Sequence, residues 1–188
     1  GQFLIGLLGG WLMTFLDTVD GKLARVTIAS SKFGHLLDHG TDIVHPPIWY
    51  ACWANGLLLT AQIDYATAAI LNLLIIWPYV FGRLVEALFH LLGSCSIFAW
   101  QPIDAFYRLF TARRNPCLIL LSVALICRVP ELGLIAVSGW TLLSSFILGI
   151  RLLQAIFVRI KNGPLESWLK NEDCAMSNNP VAYKMFAN

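Results

Sequence analysis

The sequence predicts an all-α integral membrane protein, a bundle of transmembrane helices with its charged residues gathered at one side. Three observations carry that prediction. The 188-residue chain is 57% hydrophobic and only 13% charged, with a mean hydropathy of +0.68, whereas soluble domains run at about 45–50% apolar and about 25% charged. Its apolar runs are long enough to cross a bilayer, which takes roughly 20 mostly apolar residues. Lysines and arginines fall on alternate connections, the pattern that orients helices in a membrane. The competing fold is a soluble domain with an outsized core, which these run lengths disfavour. A net charge of +2 gives no footprint for nucleic acid.

Taken in order, the first helix is expected over Gly1 to Ala29, apolar to Leu16 and polar beyond it. The second, Phe33 to Leu59, starts polar and turns apolar through "PPIWYACWANGLLLTA". The third, Tyr65 to Leu92, is apolar but carries "GRLVEALFH" in its second half. A connection with Gly93 and Pro102 contains "IDAFYRLFTARR", an amphipathic stretch suited to the membrane interface. The fourth helix, "NPCLILLSVALICRV", is short and is expected to stop at Pro130. The fifth runs from Leu132 to Ile160, and the polar residues 161–188 form a cytoplasmic tail, mobile toward its end. The domain reading is therefore a membrane domain over 1–160 and a tail over 161–188.

Lys22, Arg25 and Lys32 join the first two helices, Arg108, Arg113 and Arg114 precede the fourth, and Arg159, Lys161, Lys170 and Lys184 follow the fifth. The opposite connections hold Arg128 alone. The basic side is expected to face the cytoplasm. The five cysteines have no CxxC spacing and read as apolar filler or free thiols. Trp49, Trp53, Trp77, Trp100, Trp140 and Trp168 read as interface belts and packing.

Against that background the stretch "DTVDGKLARVTIASSKFGHLLDHGTD", Asp17 to Asp42, is costly, because an ionisable residue at membrane depth costs about 2.5–3.5 kcal/mol on insertion scales. At 100° per residue, Asp17, Asp20, Gly21, Ala24 and Arg25 share one arc of the first helix. Gly34, Asp38 and Asp42, spaced by four, share a stripe on the second. Antiparallel neighbours would turn the two stripes toward one another, making a pocket of carboxylates, one arginine and small residues. Clustered carboxylates without His or Cys select hard divalent cations such as Mg²⁺ or Mn²⁺. Two such ions would neutralise four carboxylates and leave positions for phosphate oxygens, with Arg25 a planar donor to a diphosphate. Metals, an arginine and no nucleophile suit phosphoryl-type transfer, where the protein positions groups and neutralises charge. The plain alternative is an ion-paired helix turn in which Arg25 and Lys22 balance the acids.

The pattern DxxDGxxAR, eight residues, then GxxxDxxxD resembles the signature of the CDP-alcohol phosphotransferases, also called CDP-alcohol phosphatidyltransferases. It is complete here in Asp17, Asp20, Gly21, Ala24, Arg25, Gly34, Asp38 and Asp42. The resemblance implies a phospholipid-synthesising transferase, active at the cytoplasmic side, that attacks the β-phosphate of a CDP-alcohol, usually CDP-diacylglycerol, with an acceptor alcohol and releases CMP. It implies that Asp17, Asp20, Asp38 and Asp42 hold two Mg²⁺ or Mn²⁺ ions, and that Asp42 is also the base for the acceptor hydroxyl. Gly21, Ala24, Arg25 and Gly34 would line the cytidine diphosphate pocket. It further implies a homodimer among membrane lipids and a bundle of five to six transmembrane helices. The family has six, with the signature joining the second and third, so one helix is expected before residue 1. A bacterial cytoplasmic membrane is the expected location.

Outside the signature, Arg83, Glu86 and His90 share a face of the third helix. They read either as a wall of the acceptor or lipid pocket or as an Arg83–Glu86 pair locking helices. Arg113 and Arg114 read as ligands for an acceptor's phosphate or as headgroup anchors. His35, His39 and His45 flank the aspartates but are left out, since hard cations prefer oxygen. Arg151 reads as a packing or snorkelling residue. Two other classes compete: an aspartate-rich prenyltransferase-like membrane enzyme, and a non-catalytic divalent-cation-binding or transport protein. The first shows denser DDxxD clusters with no arginine step, and the second spreads carboxylates deep in several helices. The acceptor alcohol is not legible, because the signature reads only the CDP half.

Overall fold

The computed structural model describes residues 2–27, 32–93, 95–170 and 176–186; for residues 24, 25, 27, 32–39 and 42 it describes backbone alone. Among the described residues the structure is helical with no strand. The helices are α1 (Phe3–Thr27), α2 (Lys32–Leu59), α3 (Tyr65–Leu92), α4 (Pro102–Phe110), α5 (Arg114–Ile126), α6 (Pro130–Asn162) and α7 (Pro180–Phe186), with a 3₁₀ turn at Ile97–Ala99. Among the described residues four stretches are long and apolar enough to cross a membrane: Phe3–Leu23, Tyr65–Leu92, Pro102–Ile126 and Pro130–Asn162. This confirms an all-α integral membrane protein.

The expected count of five differs in detail. α2 is not among the four: its first turns are described in backbone alone, and His45, Pro46, Pro47 and Asn55 lower the hydropathy of the rest. The stretch 102–126 qualifies only with α4 and α5 taken together across the bend at 111–113. The 13 residues of α5 alone reach roughly 20 Å, short of a hydrocarbon core about 30 Å thick. Pro46 and Pro47 also lack the N–H groups that would bond the carbonyls of Asp42 and Ile43 in a regular helix.

The chain divides into two compact units, residues 1–79 with 112–142, and residues 80–111 with 143–188. The core of the first holds Leu7, Tyr50, Trp53, Leu57, Ile75, Leu118, Leu121 and Leu134. Within it α1 and α5 run antiparallel: Trp11 Nε1–H donates to Ser122 Oγ at 3.0 Å, while Asp17, further along α1, meets Arg114, further back on α5. Gly10 permits the close approach, because a Cβ there would stand 2.9 Å from Leu118 Cδ2.

α5 ends in a tight reversal. Arg128 N–H bonds the Leu125 carbonyl and Val129 N–H the Ala124 carbonyl, with Arg128 at φ 61°, a Schellman closure built without glycine. The end of α2 repeats it with Ala61 at φ 55°. Pro130 then opens α6 rather than merely stopping α5, as its fixed φ suits a first helical position. Its carbonyl accepts from Trp53 Nε1–H at 3.3 Å.

The second unit is built on Val85, Phe89, Ile97, Phe98, Trp100, Leu148 and Leu165. α4 starts with Pro102 and a capping box in which Gln101 N–H donates to Asp104 Oδ2 at 3.1 Å. Asp104 is 3% exposed and takes a two-pronged grip from Arg151, Nε to Oδ1 at 2.7 Å and Nη2 to Oδ2 at 2.6 Å. Gln101 and Gln154 accept from the same guanidinium, which lies 4.6 Å over the Trp100 ring. Arg151, expected as a packing or snorkelling residue, is thus a part-buried packing residue held by an ion pair to an acid on α4. The start of the polar tail is packed as well. Leu165 pairs with Gly93, Ser167 Oγ donates to the Ala99 carbonyl at 2.9 Å, and Phe186 of α7 meets Phe106 edge-on at 5.1 Å.

Candidate active site

α1 carries Asp17, Asp20 and Gly21 on consecutive turns near its polar end, with Asp20 exposed and Asp17 partly so. Helix formation persists to Thr27, so Ala24 and Arg25 continue the arc one turn on. α2 keeps Gly34, Asp38 and Asp42 at helical spacing of four along its first turns. The side chains of Ala24, Arg25, Asp38 and Asp42, and of His35 and His39, lie outside the described residues, and of Gly34 only its place in α2 is described. The structure thus supplies the two helical stripes, and the convergence of the four carboxylates stays an expectation.

Asp17 is the signature residue whose partner is defined. Arg114 Nη2 donates to Asp17 Oδ2 at 2.5 Å, with the two side chains 17% and 36% exposed. Carboxylate and guanidinium are charged together in a partly desolvated place, where such a hydrogen bond is short and strong. Sequence reasoning offered Arg114 as a phosphate ligand or headgroup anchor and missed this pairing across 97 residues. No local signal could have found it, although its position at the start of α5 was legible. Arg113 caps α5 immediately before it.

Arg83 and Glu86 form an ion pair on α3 at 2.9 Å, and His90 is exposed on the same helix. All three belong to the second unit. His45 is half-buried in α2. Among the described residues no three His, Cys, Asp or Glu side chains gather as a metal site, and Asp38 and Asp42 fall outside that set. The donor chemistry nonetheless fits hard divalent cations. The candidate donors are carboxylates only, and of the two that are described, Asp17 and Asp20, Asp17 already draws a cationic group.

The family model described as CDP-alcohol phosphatidyltransferase matches residues 1–150. The chain is 45% identical over 42 residues to cholinephosphotransferase 1 of Gallus gallus, a stretch covering 22% of this chain and 12% of that protein. It is 48% identical over 42 residues to cholinephosphotransferase 1 of Danio rerio, covering 22% of this chain and 11% of that one. The chain thus spans only a small part of the length of these curated relatives. Both are vertebrate proteins, which lends nothing to the expected bacterial membrane. No solved structure matches.

Proposed function

Because the chain belongs to the CDP-alcohol phosphatidyltransferase family, we propose that it moves a substituted phosphate group from a CDP-alcohol to an acceptor alcohol and releases CMP. The observation that carries this reading is the complete signature, all eight positions of it, carried on the last turns of α1 and the first turns of α2.

In this reading Asp17, Asp20, Asp38 and Asp42 hold two divalent cations, Mg²⁺ or Mn²⁺. When bound, the ions neutralise the diphosphate and the departing CMP. Arg25 donates to diphosphate oxygens, and Gly21, Ala24 and Gly34 keep the wall low enough for the nucleotide to approach backbone. Asp42 accepts the proton of the acceptor hydroxyl as that oxygen bonds the β-phosphorus. The bond to CMP breaks and CMP leaves with its electron pair. Arg113 is assigned to an acceptor's phosphate, and Arg83 with Glu86, taken separately, to the lipid. The basic connections orient the site toward the cytoplasm, a homodimer is the assembly, and a bacterial inner membrane remains the proposed location.

The donor proposed is CDP-diacylglycerol. A second reading is favoured by the names of the relatives, cholinephosphotransferases: a small CDP-linked alcohol as donor and a lipid alcohol as acceptor. One assay separates them. Purified protein in detergent is given Mg²⁺ or Mn²⁺ with either CDP-diacylglycerol or CDP-choline, and a panel of acceptor alcohols. Acceptor-dependent CMP release, lost with chelator and in Asp17→Asn and Asp38→Asn, is expected. Full activity in either variant overturns the metal assignment, and activity with CDP-choline alone overturns the donor.

A further inference from the structure

Arg114 stands on Asp17 for reasons the surrounding packing makes specific. Two rungs join α1 and α5, Trp11 to Ser122 at 3.0 Å and Asp17 to Arg114 at 2.5 Å. The rungs are six residues apart along α1 and eight along α5, roughly 9 and 12 Å of rise. The Trp11 bond sets the axial register. Gly10 against Leu118 sets the separation, since even a methyl at position 10 would come within 2.9 Å. Arg114, the first residue of α5, is thereby delivered to one carboxylate oxygen of a residue 97 positions away. Its side chain is only 17% exposed, so the guanidinium is committed to this place rather than sampling solvent.

We infer that Arg114 is the positioning residue for Asp17. It fixes the rotamer and plane in which that carboxylate is presented to a divalent cation, and so ties the start of α5 to the metal site. The inference rests on the metal-dependent reading above. A guanidinium suits this task even through its one Nη2–Oδ2 bond, because its N–H directions are fixed by the planar group where an ammonium rotates. Donors behind a metal-ligating carboxylate commonly account for 10- to 100-fold in metal affinity.

The test is Mn²⁺ titration of purified protein in detergent, reading free Mn²⁺ by electron paramagnetic resonance, beside a thermal unfolding scan of each sample. Arg114→Ala is expected to weaken Mn²⁺ binding by about 10- to 100-fold, with Arg114→Lys between it and the parent. Trp11→Phe breaks the other rung of the same contact and is expected to keep parental Mn²⁺ affinity even where it melts earlier. Unchanged or tighter binding in Arg114→Ala overturns the inference. So does equal weakening in Trp11→Phe, which would make the effect one of helix packing alone. If Arg114→Ala does not fold, Arg114→Lys against Trp11→Phe decides. Asp38→Asn reports on the underlying reading: parental Mn²⁺ binding in that variant, or none in the parent, removes the metal site itself and this inference with it.

Discussion

Adding one methyl at Gly133 tests a close approach of α5 and α6 in the first unit. A Cβ there would stand 2.6 Å from the Ala124 Cβ and 3.2 Å from Leu121 Cδ2. Carbon atoms in good contact sit about 3.5–4.0 Å apart, so the deficit is about 1 Å. Ala124 has no torsion with which to move its methyl, and α5 and α6 must therefore separate at their shared turn. Overpacking of this kind costs about 1–3 kcal/mol, offset by about 1 kcal/mol from replacing a helical glycine with alanine. The control lies on the same helix: nothing stands within 4 Å of a Cβ at Gly139, so Gly139→Ala collects the propensity gain alone. At about 2–4 °C per kcal/mol for a chain of this size, the net cost of about 0–2 kcal/mol puts Gly133→Ala at or up to about 8 °C below the parent. Gly139→Ala is expected about 2–4 °C above it. Intrinsic tryptophan fluorescence during a thermal ramp in detergent reads both. Equal melting of the two variants, or a Gly133→Ala protein more stable than the parent, would refute the packing argument.

Ala61 closes α2 in the left-handed region at φ 55°, which costs an L-residue about 1–2 kcal/mol. Ala61→Gly is expected to raise stability by about 1 kcal/mol in the same melt. Arg151→Ala strands Asp104 as an unpaired buried acid and is expected to cost about 3–5 kcal/mol, while a paired Asp104→Leu, Arg151→Met protein regains most of it. Asp64 caps α3 through Thr67, and that hydrogen bond holds its carboxyl below the ordinary value of 3.8. Since the folded form is the stronger acid, its contribution is present above pH 3.8 and fades as pH falls through the depressed value. The gap in melting temperature between parent and Asp64→Ala is expected to close on acidification and to stay flat above about pH 5. Membrane-impermeant maleimide is expected to label exposed Cys127 from the side opposite the signature. It should spare buried Cys95, whose thiol burial pushes up and so keeps protonated.

Local chemistry was readable where it is set by near neighbours. The span Tyr65–Leu92 was delimited to the residue, because polar residues at both ends bracket one apolar run. Pro130 marked a boundary correctly but on the wrong side: proline both ends one helix and begins the next, and the turn between consists of Cys127, Arg128 and Val129. The eight signature positions were visible because their spacing is local in sequence and resembles a family pattern, while helical periodicity groups them on two stripes. Pairings were not visible. Asp104 went unremarked, and the ion pair behind the packing role of Arg151 was not visible, because their contact joins residues 47 apart. Asp17 and Arg114 meet at a separation of 97. Residues 180–186 read as plain polar tail, yet they form α7, because Phe186 has an aromatic partner in Phe106 that its neighbours in sequence do not announce.

The grip of Arg151 on Asp104 also constrains how sequences descended from this one can vary. Either single replacement passes through a variant with a stranded buried charge, so drift at these positions is blocked one step at a time. An exchange to two apolar residues of similar volume is open only as a joint event. Gln101 and Gln154, which complete the same guanidinium's hydrogen bonds, are expected to change in its company. Among diverged relatives, positions 101, 104, 151 and 154 should therefore change together or not at all, a mark of shared ancestry in the scaffold that is separate from the aspartate signature.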